Sequence, residues 1–278
     1  MAGASKLSLI FLLETMKNQL LFLILTCASF TTYAQKLHAS YEYIPSAVAT
    51  FKEDVYYENG NKIAVRDSVP LKTTIGEIET PDGEIASSFS MVLNTGASFR
   101  RIVMQQLNVD ELQETRSLQG VNYVVNDKFP KLCWNTDYRD IDTLGKFVCH
   151  KATTTYRGTK LTAYYTNDIP VPAGPYKFGG LPGLIVMLYN ESATPNYWML
   201  KEVSYPYEGD VPVSKSYLNS LPTLSLQEFV RKDEAVIQEQ MRIMESKMPA
   251  MEGVTIERKN VRGTVEQVYE WEKTNKEN

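Results

Sequence analysis

Apolar positions along the chain recur mostly at every second residue, in short runs separated by turn residues, which predicts strands rather than helices. From Leu37 to Tyr43, the residues Leu37, Ala39, Tyr41 and Tyr43 alternate with His38, Ser40 and Glu42, the pattern of a strand with one buried face. Val55 to Tyr57 and Ile63 to Val65 flank Glu58-Asn59-Gly60-Asn61. Asn-Gly is the strongest short hairpin signal, because both central residues of a type I′ turn need φ > 0. Pro81-Asp82-Gly83 marks another turn, Ile85 to Leu93 and Phe99 to Gln106 are predicted strands, and Val121 to Val125 follows a break at Gln119-Gly120. Lys146 to Tyr156 is expected to pair with Thr159 to Thr166 across Arg157-Gly158. Leu184 to Tyr189 is apolar throughout, which predicts a strand covered on both faces, paired with Tyr197 to Val203 over Asn190 to Asn196.

Two stretches depart from this period. Asp168 to Gly183 carries Pro170, Pro172, Pro175 and Pro182, four of the 13 prolines, and predicts a stiff extended connection. At its end Leu181-Pro182-Gly183-Leu184 fits a type II turn with Gly183 at φ > 0, and Gly179 and Gly180 permit close backbone approach. The second stretch is a helix. Ser225-Leu226-Gln227-Glu228 is a capping box, followed by Phe229, Val230, Val236, Ile237, Met241, Met244 and Met248 on one face, which is expected to be core, with Pro249 as the stop. Val254 to Ile256 and Val261 to Tyr269 are expected to return as strands. The expected fold is α+β and mainly antiparallel β: a curved sheet or half-barrel of hairpins with one long helix packed on it.

Residues 1–34 read as a targeting segment. Lys17 precedes an uncharged run from Leu20 to Phe30, too short to span a bilayer, and Thr32-Tyr33-Ala34 ends it at a small residue. Met16-Lys17-Asn18 is a natural alternative start, and the threonine before Cys27 makes a poor lipidation signal. The expected mature chain is a single domain over residues 35–278 with no integral membrane span, exported to the periplasm or cell envelope. The full chain has 29 Lys and Arg against 33 Asp and Glu, a net charge of −4, and no basic block, so nucleic acid is not an expected partner. Cys133 and Cys149 lie symmetrically about a polar stretch near Ile141. A hairpin tip there would set them opposite one another, and an oxidising compartment would join them as a disulfide.

Catalytic patterns are scarce. The chain has two histidines, His38 and His150, and lacks Gly-x-Ser-x-Gly, His-Glu-x-x-His and Cys-x-x-Cys. Asp137, Asp140 and Asp142 read as turn aspartates, and no metal site or cofactor is expected. Asp168, near Tyr164 and Tyr165, is the one candidate acid or base, and it reads equally as a cap on the proline segment. With 17 tyrosines in the chain, Tyr164, Tyr165, Asp168 and Tyr176 are the candidate ligand-binding residues, on a curved sheet able to line a pocket for a hydrophobic or aromatic ligand.

The block GKFVCHKATTTYRGTKLTAYYTNDIPVPAGPYKFGGLPGLIVMLYN, Gly145 to Asn190, resembles the GLPGLI family of secreted or envelope proteins of Bacteroidota, named after the motif Gly179-Gly180-Leu181-Pro182-Gly183 runs into. Phe89 to Phe99 is similar to that family's earlier strand, while Tyr164-Tyr165 stands where a Trp would be expected. The resemblance implies an exported protein and carries no settled activity. Two classes of function remain: a non-enzymatic module that binds an envelope protein or a small hydrophobic ligand, and a hydrolase-like enzyme using Asp168 and the neighbouring tyrosines. The motif itself reads as architectural.

Overall fold

The computed structural model describes residue 17 and residues 36–45, 50–67, 76–79, 85–88, 99–107, 109–191, 196–247, 262 and 264–273. The chain divides into two units, and all of these except Lys17 lie in the second, which begins at Lys36. The expected targeting segment, the resembling stretch from Phe89 and the strand expected at Val254 to Ile256 fall outside the described residues.

The elements are β1 (Lys36–Pro45), β2 (Phe51–Glu58), β3 (Asn61–Asp67), β4 (Gly76–Glu79), β5 (Ile85–Ser88), β6 (Arg100–Gln106), β7 (Glu111–Leu118), β8 (Val121–Lys128), β9 (Ile141–Leu144), β10 (Phe147–Tyr156), β11 (Thr159–Thr166), β12 (Leu184–Asn190), β13 (Asn196–Ser204), α1 (Lys215–Ser220), β14 (Thr223–Ser225), α2 (Leu226–Lys247) and α3 (Glu270–Lys273). Twelve strands form one open, curved and almost wholly antiparallel sheet in the order β14-β8-β7-β6-β3-β2-β1-β13-β12-β11-β10-β9, and β4 pairs with β5 separately. Local turn chemistry sets the hairpins. Asn59-Gly60, Gln119-Gly120 and Arg157-Gly158 each place two consecutive residues at positive φ, as two-residue type I′ loops require.

The proline segment is the interior of the curve. Between β11 and β12 the chain turns inward, and Ile169, Val171, Ala173, Tyr176, Phe178 and Leu181 all join the main core with Leu37, Tyr41, Val55 and Trp198 of the wall. A segment without a regular ladder leaves backbone groups to satisfy. Ala173 and Gly179 bridge the two legs of this plug, and Gly180 N donates to Pro172 O at 3.0 Å. Side chains of the wall supply the rest: Lys62 Nζ donates to Phe178 O and Trp134 Nε1 to Gly179 O. The opposite face of the sheet is covered by α1, whose Leu218 packs with Tyr56, Val65, Ile102 and Val124.

Four expectations are corrected. Gly183 is not at positive φ; Gly180 is, at +84°. No type II turn forms at Leu181–Leu184, and Gly183 is needed for a close approach instead, since a Cβ there would lie 1.9 Å from the Thr166 carbonyl oxygen. Cys133 and Cys149 do not form a disulfide: both are free, Cys133 exposed and Cys149 buried. Their hairpin turns at Gly145-Lys146, four residues later than the polar midpoint, so Cys149 lies opposite Asp142. The helix has its capping box, with Glu228 N donating to Ser225 Oγ at 3.2 Å and Ser225 N to Glu228 Oε2 at 3.0 Å. Only its first turns are core, however: Phe229 and Val230 are buried against Val125, while Ile237, Met241 and Ile243 are exposed. Residues 264–269 run as an irregular segment, not as a strand.

Candidate functional site

At the tip of the plug, Phe178 N closes a turn on Pro175 O at 2.9 Å, with Tyr176 at φ +52°. A bulky side chain in that region is strained and is held there by its surroundings. Tyr176 N donates to Glu53 Oε1 at 2.5 Å, which anchors the turn to β2. The next residue, Lys177, is fully buried. Its ammonium donates to three carboxylates: Glu114 of β7 at 2.7 Å, Asp127 of β8 at 2.8 Å and Glu266 of the C-terminal segment at 2.8 Å. A Lys ammonium has three protons, and each has a carboxylate.

Three guanidiniums enclose the same carboxylates. Arg157, at the β10–β11 turn, grips Asp127 through both terminal nitrogens at 2.6 and 3.0 Å and reaches Glu266 at 2.7 Å. Arg116 bonds Glu114 and Glu266, and Arg101 of β6 donates to Glu114 at 3.0 Å. Tyr156 donates to Glu266 at 2.7 Å. Burial would push the Glu114 and Glu266 carboxyls up, but the cations around them, Arg116 and Lys177 foremost, outweigh it and hold both below the usual carboxylate range. The same carboxylates hold Lys177 above the ordinary lysine value against burial. Oxygens of Glu114, Asp127 and Glu266 lie within 4.8 Å of one another, a spacing able to hold a metal ion. Lys177 Nζ fills that place. The cluster is therefore a pin that locks the plug to the wall and to the C-terminal segment.

Beside it, a half-open cleft of ≈ 950 Å³ runs past the ends of β6, β7 and β8 to the starts of α2 and α3. Met104, Val109, Leu226 and Trp271 give it apolar patches, the carboxamides of Gln106, Gln113, Asn126 and Gln227 give it polar ones, and the Asp127–Arg157 pair reaches it. The volume lies in the range of small-molecule sites.

The residues proposed from the sequence are not gathered in one place. Asp168 is exposed, with its backbone N–H donating to Thr166 Oγ1 at 3.2 Å. Tyr165 is buried, Tyr164 half-buried on the other face of β11, and Tyr176 sits in the core with its hydroxyl accepting from Arg101 at 3.2 Å. Sequence reasoning passed over Glu114, Arg116, Asp127, Lys177 and Glu266, because charged residues on strands ordinarily read as a solvated face. One signal was present: Lys177 stands between Tyr176 and Phe178 inside the motif block, an unusual place for a solvated lysine.

The model of a family described as "Protein of unknown function (Porph_ging)" matches residues 150–187, the span from β10 through the plug into β12. No curated protein matches the chain. Among solved structures, PNGF-II in the P21 space group is 13% identical over 72% of this chain and 33% of its own, with a TM-score of 0.46. PNGF-II in the C2 space group is 15% identical over 80% of this chain and 36% of its own, with a TM-score of 0.43. The chain thus spans about a third of the length of those structures. At these values the likeness extends to no activity.

Proposed function

We propose that this chain is an exported, non-enzymatic envelope protein of the GLPGLI type, and that it binds a small ligand or an envelope partner in the cleft beside the ionic cluster. The family match at residues 150–187 falls inside the Gly145–Asn190 block that carries the resemblance, which supports the assignment. The observation that carries the functional reading is how the charges are used. Lys177, Arg157, Glu114, Asp127 and Glu266 are buried and paired with one another, and together they hold the plug. Such a rigid floor under a cleft of mixed apolar and carboxamide lining suits recognition. No described helix is long and apolar enough to cross a membrane.

The test is the native cargo. Protein purified from its own envelope is expected to carry a ligand or partner identifiable by mass spectrometry, and Val109→Arg, which fills the cleft, is expected to lose it while Asp168→Asn keeps it. A protein that carries nothing and instead turns over a substrate in an Asp168-dependent way replaces this reading with the hydrolase one.

A further inference from the structure

The strands beside the large cleft set side chains in register along it. Met104 of β6 stands opposite Gln113 of β7, Gln113 opposite Asn126 of β8, and Asn126 opposite Ser225 of β14. Opposite residues share a face, so these four make one row across four strands, roughly 14 Å long at the usual strand spacing. All four line the cleft, and Gln113, Asn126 and Ser225 are exposed. Two residues along the same face, Glu111 stands opposite Lys128, and both line the cleft as well.

In the middle of the row Gln113 Nε2 donates to Asn126 Oδ1 at 3.0 Å. That bond takes one donor and one acceptor, and leaves the pair a carboxamide oxygen on one residue and an amide nitrogen on the other. An acceptor and a donor side by side complement a hydroxyl group, which donates and accepts at once. Gln106 and Gln227 bring two more carboxamides to the lining. The charges there are matched: Asp127 pairs with Arg157, Glu270 with Arg157, and Glu111 faces Lys128 across the strands. No isolated charge is left to select an ion. The apolar contribution includes a ring. Trp271 lines the cleft half-buried, with Tyr269 stacked on it at 4.6 Å and 5° between planes, which fixes the indole in place. The negative face of such a ring attracts the C–H groups of a sugar.

We propose that the ligand of this cleft is a neutral oligosaccharide, its hydroxyls met by the Gln113–Asn126 pair and a sugar ring packed against Trp271. The proposal rests on the reading of the cleft as a binding site and names the class of ligand. A wholly apolar ligand would cover the carboxamides without bonding them. A peptide offers one N–H and one C=O per residue, each with a single role, whereas every sugar hydroxyl fills both.

The test titrates the full chain with neutral oligosaccharides of glucose, mannose and galactose, by calorimetry and tryptophan fluorescence. Uronic-acid chains and mixed-sequence peptides of like length serve as comparisons. Saturable binding of a neutral series is expected, weaker for the uronic acids and absent for the peptides. Gln113→Leu changes an exposed side chain and is expected to lower affinity about tenfold, the loss of one good hydrogen bond, and Val109→Arg to abolish binding. The fluorescence change on binding is expected to vanish in Trp271→Phe. Absence of binding to every neutral series by folded protein, or uronic acids or peptides that bind as tightly, overturns the proposal. Native cargo of another class, lost in Val109→Arg, overturns it too and leaves the cleft a binding site. Oligosaccharide binding that survives both Gln113→Leu and Val109→Arg lies elsewhere on the molecule and overturns both readings.

Discussion

A Cβ on Gly183 would overlap the Thr166 carbonyl oxygen, a backbone atom that moves only if β11 or β12 moves, whereas one on Gly180 would meet nothing within 4 Å. The two glycines of one motif are therefore required for different reasons, approach at 183 and a left-handed backbone at 180. Gly183→Ala is expected to cost about 2–3 kcal/mol, as overpacking does, and Gly180→Ala about 1 kcal/mol, the strain of an L residue there. Urea melts that reverse this order would move the close contact from 183 to 180. Lys62 gives a second residue-scale prediction. It is wholly buried, and burial, only partly offset by Glu53, pulls its ammonium down to about 7. Since the unfolded lysine keeps its proton to about 10.4, the folded state holds fewer protons between those values, and stability rises with pH across that window. The penalty is complete below pH 7. Unfolding free energy is expected to increase from about pH 7 to 9, below the range in which tyrosines ionise, and to stay level in Lys62→Met. A rise that persists in the variant would assign the slope to another group.

Among the elements, the C-terminal segment, expected from its sequence as a strand, holds the fold without being one. Residues 264–269 have no regular structure, yet Glu266 is 1% exposed and serves Lys177, Arg116, Arg157 and Tyr156 at once. Glu266→Gln leaves three cations short of a partner in the interior, and is expected to cost about 3–5 kcal/mol by chemical denaturation, against near zero for Glu239→Gln on the exposed helix. A loss below about 1 kcal/mol would show the cluster to be loosely coupled to stability. The hairpins were legible because Asn59-Gly60 and Arg157-Gly158 carry their geometry in two adjacent residues. The Cys133–Cys149 hairpin was misread because polar residues near Ile141 outvoted Gly145, the residue at φ +60° that makes the turn. The ionic cluster was illegible for a different reason: Glu114, Asp127, Lys177 and Glu266 are brought together only by the sheet, and burial of a charge depends on partners far along the chain. The outer half of α2 shows the limit of periodicity, since a stripe of Ile237 and Met241 records amphipathicity but not what, if anything, it packs against.

For the whole molecule, the sheet order is a meander with one seam. Strands β9 to β13 form one half in sequence order, β2, β3 and β6 to β8 the other, and β1 alone joins them, paired to β2 on one side and to β13 on the other. The plug belongs to the later half, while the wall residues that receive its tip, Glu53, Lys62 and Glu114, belong to the earlier one. Chain growth runs the other way from this need. His38 is made early and meets its partner Ser204 only after most of the sheet has been synthesised. Until then β1 has one unpaired edge. Contacts this far apart close slowly, and an open edge is a template for pairing with other chains. The edge of β1 that β13 covers stays open until β13 has been made. The ionic cluster needs all three parts, since Glu114 and Asp127 come from one half of the sheet, Lys177 and Arg157 from the other and Glu266 from the C-terminal segment.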